Sequence, residues 1–143
     1  MDHKTLLIWI ATVVFWGISP LIEKLGLKNV DPLIGLFVRT LAALIGISLV
    51  IFLTGEAEKI RYLTLRDLFY LSLSGITAGF LGMFFYFSLL KTHQASQIVP
   101  LTASYPLVAS LLAILILRED ITLYKILGTI LIVFGIYFLF RSE

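Results

Sequence analysis

The chain has 143 residues, of which 59% are hydrophobic and 14% are charged, with a formal net charge of +2. A soluble domain of this size carries about a quarter charged residues, so the composition excludes an ordinary soluble protein, and the mean hydropathy of +1.03 indicates a membrane protein. Cysteine is absent, which excludes disulfides and thiolate metal sites. The lysines and arginines lie mostly between apolar segments, where they set membrane orientation and do not indicate nucleic-acid binding.

Five apolar segments are long enough to cross a bilayer, whose hydrocarbon core of about 30 Å requires about 20 helical residues. The sequence therefore predicts one domain over residues 1–143, an all-α membrane protein with five transmembrane helices. Their expected bounds are 5–25, 32–53, 67–90, 95–117 and 122–140. The first segment follows Lys4 with the polarity of a signal peptide. It continues through Trp16 and Pro20 without a cleavage site, so we expect a retained helix.

The second segment has a distinct start, because Asp31-Pro32 supplies a capping residue and a proline at the first helical position. Five spans place the two termini on opposite sides of the membrane. The N-terminal side would hold Lys4, Lys59, Arg61, Arg66, Arg118 and Lys125, and the other side Lys24, Lys28, Lys91 and Arg141. The excess of six positive charges over four favours a cytoplasmic N terminus, and it is small enough to permit insertion in both orientations.

Charged residues also occur within the first two spans. Arg39 lies on a face of small residues formed by Gly35, Ala42 and Gly46. This predicts that Arg39 points into the bundle; the alternative is that it snorkels to the headgroups. Glu23 and Arg39 each lie eight residues from Asp31, at similar depth in the hairpin. We therefore predict an ion pair or a shared polar pocket, with Lys24 alongside, although a purely structural pair fits the same spacing.

The first span places Trp16, Ser19 and Glu23 on one face together with Thr12. Pro20 removes a backbone donor and leaves the Trp16 carbonyl without its usual partner. Such a face could line a ligand path beside a wet cavity. It is equally consistent with a proline kink that neighbouring helices satisfy.

The later spans differ in character. Four glycines are expected to form packing or dimer surfaces, with Gly75 and Gly79 in the third span and Gly128 and Gly135 in the fifth. Tyr86 falls on the glycine face of the third span and is expected to face a cavity. The fourth span combines two prolines with hydroxyl groups, which predicts a kinked helix beside a polar interior; its residues are Pro100, Ser104, Tyr105 and Pro106.

No motif of enzyme chemistry is present in the sequence. His3 and His93 are single and far apart, and nothing resembles a zinc site, a Ser-His-Asp set, a P-loop or a dinucleotide fingerprint. We therefore expect no catalytic residues, no metal site and no cofactor.

Three stretches together resemble the EamA domain of the drug/metabolite transporter superfamily. Trp16-Gly17-x-x-Pro20-x-x-x-Lys24 is similar to its first-helix pattern, and Arg39-Thr40-Leu41-Ala42-Ala43-Leu44 to its second-helix segment. The stretch from Ala95 to Phe140 resembles its last part, with the proline pair, the Glu119 corner and the glycines of the final helix. Arg118 stands where the family often has a glycine.

The resemblance implies a transporter built on an inverted repeat, since family members usually carry two such domains and ten helices. A single five-helix repeat then implies an antiparallel homodimer in the cell membrane. Its expected function is secondary transport of a small polar or amphipathic metabolite by alternating access. The expected substrate path comprises Trp16, Ser19, Pro20, Glu23, Lys24, Arg39, Tyr86, Pro100, Ser104, Tyr105 and Pro106.

Within this interpretation, Trp16, Tyr86, Ser104 and Tyr105 would contact substrate, Arg39 and Lys24 would attract an anionic group, and Glu23 could couple transport to protons. Two other functions fit the sequence. One is a non-transporting membrane subunit or scaffold that packs against another membrane protein. The other is an oligomer of parallel chains around a pore, which would require a fixed topology.

Overall fold

All the regular secondary structure in the described part of the chain is helical. The computed structural model describes residues 2–118, 120 and 122–140, with the side chains of 139 and 140 left out. Within these ranges there is no strand. The α-helices are α1 His3–Gly26, α2 Pro32–Leu53, α3 Leu65–Ser74, α4 Met83–Thr92, α5 Ala95–Thr102, α6 Tyr105–Leu117 and α7 Leu123–Phe140. Short 3₁₀ turns lie at Leu27–Asn29 and Glu56–Tyr62.

Four helical stretches in the described residues are long and apolar enough to span a membrane: His3–Asn29, Pro32–Leu53, Leu65–Thr92 and Ala95–Leu117. A shorter apolar helix covers Leu123–Phe138. The prediction of an all-α membrane protein is thus confirmed for its helices and for four candidate spans. The fifth span stays a prediction.

The first two predicted spans begin and end close to their expected positions. α1 covers His3–Gly26 and continues through Pro20, and α2 covers Pro32–Leu53. The Asp31 side chain accepts a hydrogen bond from the Leu33 N–H at 2.9 Å, and Pro32 occupies the first turn. The predicted start signal of α2 is therefore confirmed, because this cap satisfies an N–H that has no partner within the helix.

The third predicted span begins earlier than expected and is not α-helical throughout. Thr64 and Asp67 form a reciprocal capping box, so α3 starts at Leu65 and not near residue 67. Gly75–Gly82 then forms a π-helix that leads into α4. A π-helix turns less per residue than an α-helix because its hydrogen bonds span five residues. The prediction that Tyr86 shares the glycine face assumed α-helical spacing, and that assumption is wrong across this segment.

The fourth predicted span is interrupted, and the α-helix breaks at Ala103–Ser104 between α5 and α6. The Ser104 hydroxyl donates to the Leu101 carbonyl at 2.7 Å, and the Thr102 hydroxyl donates to the Ile98 carbonyl at 2.9 Å. Pro106 lies in the first turn of α6, where the missing N–H costs nothing. The kink that the prolines predicted is therefore a break, with local hydroxyls bonded to carbonyls around it.

α6 ends at a residue in the left-handed conformation. Arg118 has φ 55° and ψ 39°, and its N–H donates to the Ala113 carbonyl. This conformation is free for glycine and costs other residues about 1–2 kcal/mol, which explains why glycine suits this position. Glu119 and Arg141 lie outside the described residues.

The chain divides into two compact units, residues 1–92 and 93–143. In the first unit, α4 packs against α2 and against α1, and the turn Leu27–Asn29 packs against α4. In the second unit, α5 packs against α7. The Thr122 hydroxyl accepts a hydrogen bond from the Lys125 N–H at 3.3 Å, at the start of α7.

Candidate functional site

Polar side chains from three helices meet inside the first unit. The Arg39 Nε of α2 donates to the Glu23 Oε1 of α1 at 3.0 Å, and the Ser19 hydroxyl donates to the same oxygen at 3.0 Å. Tyr86 is half-buried on α4, which packs against both of these helices. We call Ser19, Glu23, Arg39 and Tyr86 the polar cluster. The predicted ion pair between Glu23 and Arg39 is present.

The ion pair also answers the question of where Arg39 points. Its guanidinium is held by the Glu23 carboxylate of α1, so it points toward the neighbouring helix, as the inward interpretation predicted. The Glu23 side chain is 11% exposed and that of Arg39 is 44% exposed. The carboxylate is therefore shielded, while part of the guanidinium remains accessible.

The end of the first unit beside Asp31 is closed by apolar packing. Its buried residues are Leu27, Leu36, Phe87 and Leu90, which we call the apolar plug. Gly35 lies between them, since a Cβ at this position would stand 2.7 Å from Leu27 Cδ2 and 3.7 Å from the Phe87 ring. In the α1–α2 hairpin, Leu27 and Leu36 lie nearer to Asp31 than Glu23 and Arg39 do. The plug therefore lies between the cluster and the Asp31 end of this unit.

Two lysines connect α4 to the α1–α2 hairpin at the same end. Lys24 Nζ donates to the Leu90 carbonyl at 2.6 Å and to the Lys91 carbonyl at 3.2 Å. Lys91 Nζ donates in return to the Val30 carbonyl at 2.9 Å. A cation at a helix C terminus satisfies carbonyls that have no partner within the helix and interacts favourably with the dipole. These contacts were not predicted from the sequence, although each of the two helices carries a lysine in its last turn.

The remaining predicted path residues are distributed over both units. Trp16 lies on α1 and is 69% exposed, and Pro20 is buried within the same helix. Four predicted residues belong to the second unit, where Ser104 bonds a neighbouring carbonyl and Tyr105 is 61% exposed. These four are Pro100, Ser104, Tyr105 and Pro106. The structure brings together Ser19, Glu23, Arg39 and Tyr86, and the path through the other residues stays a prediction.

The predicted glycine surfaces face open space within the chain. Among the described residues, nothing lies within 4 Å of a Cβ built at Gly75, Gly79, Gly128 or Gly135. Their role in packing or dimerisation therefore stays a prediction. The described residues also contain no group of three or more His, Asp or Glu side chains that could hold a metal ion.

Comparison with known proteins places these features in a family. Residues 3–141 match the model of the EamA-like transporter family. An uncharacterized protein of Methanocaldococcus jannaschii is 27% identical over 138 residues, which cover 96% of this chain and 97% of that protein. An uncharacterized transporter of Sinorhizobium sp, from the cobO 3′ region, is 25% identical over 124 residues and 87% of each chain. No solved structure matches with significance.

Proposed function

Because this chain belongs to the EamA-like transporter family, we propose that it is a secondary transporter that moves a small polar or amphipathic metabolite across the cell membrane by alternating access. The observation that carries the proposal is the polar cluster, an ion pair with a hydroxyl and a phenol, which lies within predominantly apolar spans. Charged groups at membrane depth are costly, by about 2.5–3.5 kcal/mol each on insertion scales, and commonly mark a solute pathway.

The first unit would contribute one half of such a pathway. Ser19 and Arg39 both donate hydrogen bonds to the Glu23 carboxylate and hold it in place, so the cluster is preorganised before a solute arrives. The apolar plug and the lysine contacts close the end beside Asp31. A solute would therefore reach the cluster from the opposite end in this conformation, and transport would require the plugged end to open.

We further propose that the transporter is one EamA-like repeat that works as an antiparallel homodimer. Five spans per repeat would give two oppositely inserted chains the symmetry of an inverted repeat. The match with the Methanocaldococcus jannaschii protein covers 96% of this chain and 97% of that protein, which supports a functional unit of this size. The open positions at Gly75, Gly79, Gly128 and Gly135 would let another helix approach closely.

A metabolite panel tests transport. The purified protein in lipid nanodiscs is heated with each compound, and a compound that binds the folded form should raise the melting temperature. Each stabilising compound is then tested for counterflow in proteoliposomes. The variant with both Glu23→Gln and Arg39→Gln should lose the response, and Arg66→Gln, outside the cluster, should keep it. No stabilising compound and no counterflow would favour the non-transporting scaffold.

Chemical labelling tests the orientation of the two chains separately. The sequence has no cysteine, so Lys4→Cys and Lys28→Cys each introduce one thiol, on opposite sides of the first span. In cells, an impermeant maleimide should label part of each population if chains insert both ways. Labelling of one variant alone would refute the antiparallel dimer and leave transport itself standing.

A further inference from the structure

The guanidinium of Arg39 uses one edge and leaves the other open. Its Nε donates to Glu23 Oε1 at 3.0 Å. Within the described residues, the two terminal amino groups have no hydrogen-bond acceptor. These groups carry four N–H donors, and acyl chains offer no acceptor for them. A guanidinium held in place with an open edge is suited to a planar oxyanion, which it binds through two parallel hydrogen bonds.

The surroundings restrict which anion fits. Arg39 already faces the negative charge of Glu23, so a dianion would place two further charges beside a carboxylate. A monoanion adds only one, so it is repelled less by the Glu23 carboxylate. Tyr86 offers a hydroxyl from a third helix, since it is half-buried on α4, which packs against both α1 and α2.

The rest of such a solute would meet apolar surface. On α1, the residue one turn from Ser19 toward the N terminus is Trp16, whose indole is 69% exposed. On the other side of the cluster, the plug residues Phe87 and Leu90 leave almost no accessible surface, at 2% and 0% exposure. An aromatic or aliphatic body would therefore extend from Arg39 toward Trp16 and away from the plug.

We propose that the open edge of Arg39 is a carboxylate-binding site and that the transported solutes are small amphipathic monocarboxylates. Arg39 binds the carboxylate through its terminal amino groups, Tyr86 donates to it, and Glu23 positions the guanidinium without touching the solute. The proposal rests on the proposed transport function and specifies its substrate class.

Three probes that share one ring test the site: benzoate, benzamide and benzylamine. Binding to the full chain in nanodiscs is measured by calorimetry. Benzoate should bind at least 10-fold more tightly than the neutral amide and the cationic amine. Arg39→Lys should weaken benzoate at least 10-fold, because lysine cannot present two parallel donors. Lys28→Gln removes an exposed positive charge from the same hairpin and should leave binding unchanged.

A second variant tests the site in case a substitution at Arg39 prevents the protein from folding. Tyr86→Phe keeps the ring and removes the hydroxyl, so it should weaken benzoate about 3- to 10-fold and leave benzamide unchanged. Equal binding of benzoate and benzamide, unchanged benzoate binding in both variants, or no binding of any probe would each overturn the carboxylate site. A neutral or cationic metabolite that stabilises the protein and shows counterflow would also overturn it, while confirming transport.

Discussion

The fit of Gly35 in the apolar plug offers a quantitative test of how this end of the first unit is closed. A Cβ at Gly35 would lie 2.7 Å from Leu27 Cδ2, well inside contact distance, and 3.7 Å from the Phe87 ring. Leu27 and Phe87 are each 2% exposed, so the displaced leucine has little space to enter. Gly46, eleven residues further along the same helix, has nothing within 4 Å among the described residues.

The two substitutions to alanine should therefore differ in their effect on stability. Replacing a helical glycine by alanine stabilises a helix by about 1 kcal/mol. At Gly46 that gain is the whole effect. At Gly35 it is opposed by overpacking, which typically costs about 1–3 kcal/mol. Gly35→Ala should be less stable than Gly46→Ala by about 1–3 kcal/mol, the size of the overpacking cost.

Unfolding in mixed micelles by increasing SDS, followed by circular dichroism, measures both free energies. Leu27→Val shortens the side chain that the new methyl group meets, so adding it to Gly35→Ala should recover part of the loss and reveal coupling between the two positions. Equal effects of Gly35→Ala and Gly46→Ala, within about 0.5 kcal/mol, would refute the close approach of Gly35 to the plug.

Three further predictions concern local interactions. Arg118→Gly should stabilise the protein by about 1 kcal/mol, because glycine adopts the left-handed conformation freely. Arg118→Ala removes the charge and keeps the backbone strain, so it should not stabilise the protein. Equal melting temperatures for the two variants would contradict this prediction. Lys24→Met should destabilise the protein by about 1.5–3 kcal/mol through loss of charged hydrogen bonds to the end of α4, whereas the exposed Lys28→Met should have little effect in the same SDS titration. Thr64→Ala should cost about 1 kcal/mol by removing the capping box, seen as faster hydrogen exchange in the first turn of α3 and unchanged exchange at the start of α2.

Sequence patterns were sufficient to predict where the helices lie and to predict one contact between two of them. In a bilayer, backbone N–H and C=O groups must be satisfied within the segment, so long apolar runs indicate helices before any tertiary contact is known. The Asp31-Pro32 start and the pairing of Glu23 with Arg39 both followed from the sequence. The pair was predictable because two helices joined by a short turn run antiparallel, and residues equally distant from the turn lie at equal depth.

Tertiary structure decided which surfaces meet. The contacts of Lys24 and Lys91 join positions more than 60 residues apart in sequence, and the close approach of Gly35 to Leu27 depends on how α4 packs beside the hairpin. Nothing in the local sequence distinguishes Gly35 from Gly46, which lie on the same face of one helix. The π-helix at Gly75–Gly82 also escaped prediction, because sequence periodicity assumes α-helical geometry. The helices of this chain form through backbone hydrogen bonds within each segment. The contacts between helices depend instead on the simultaneous fit of side chains from several helices.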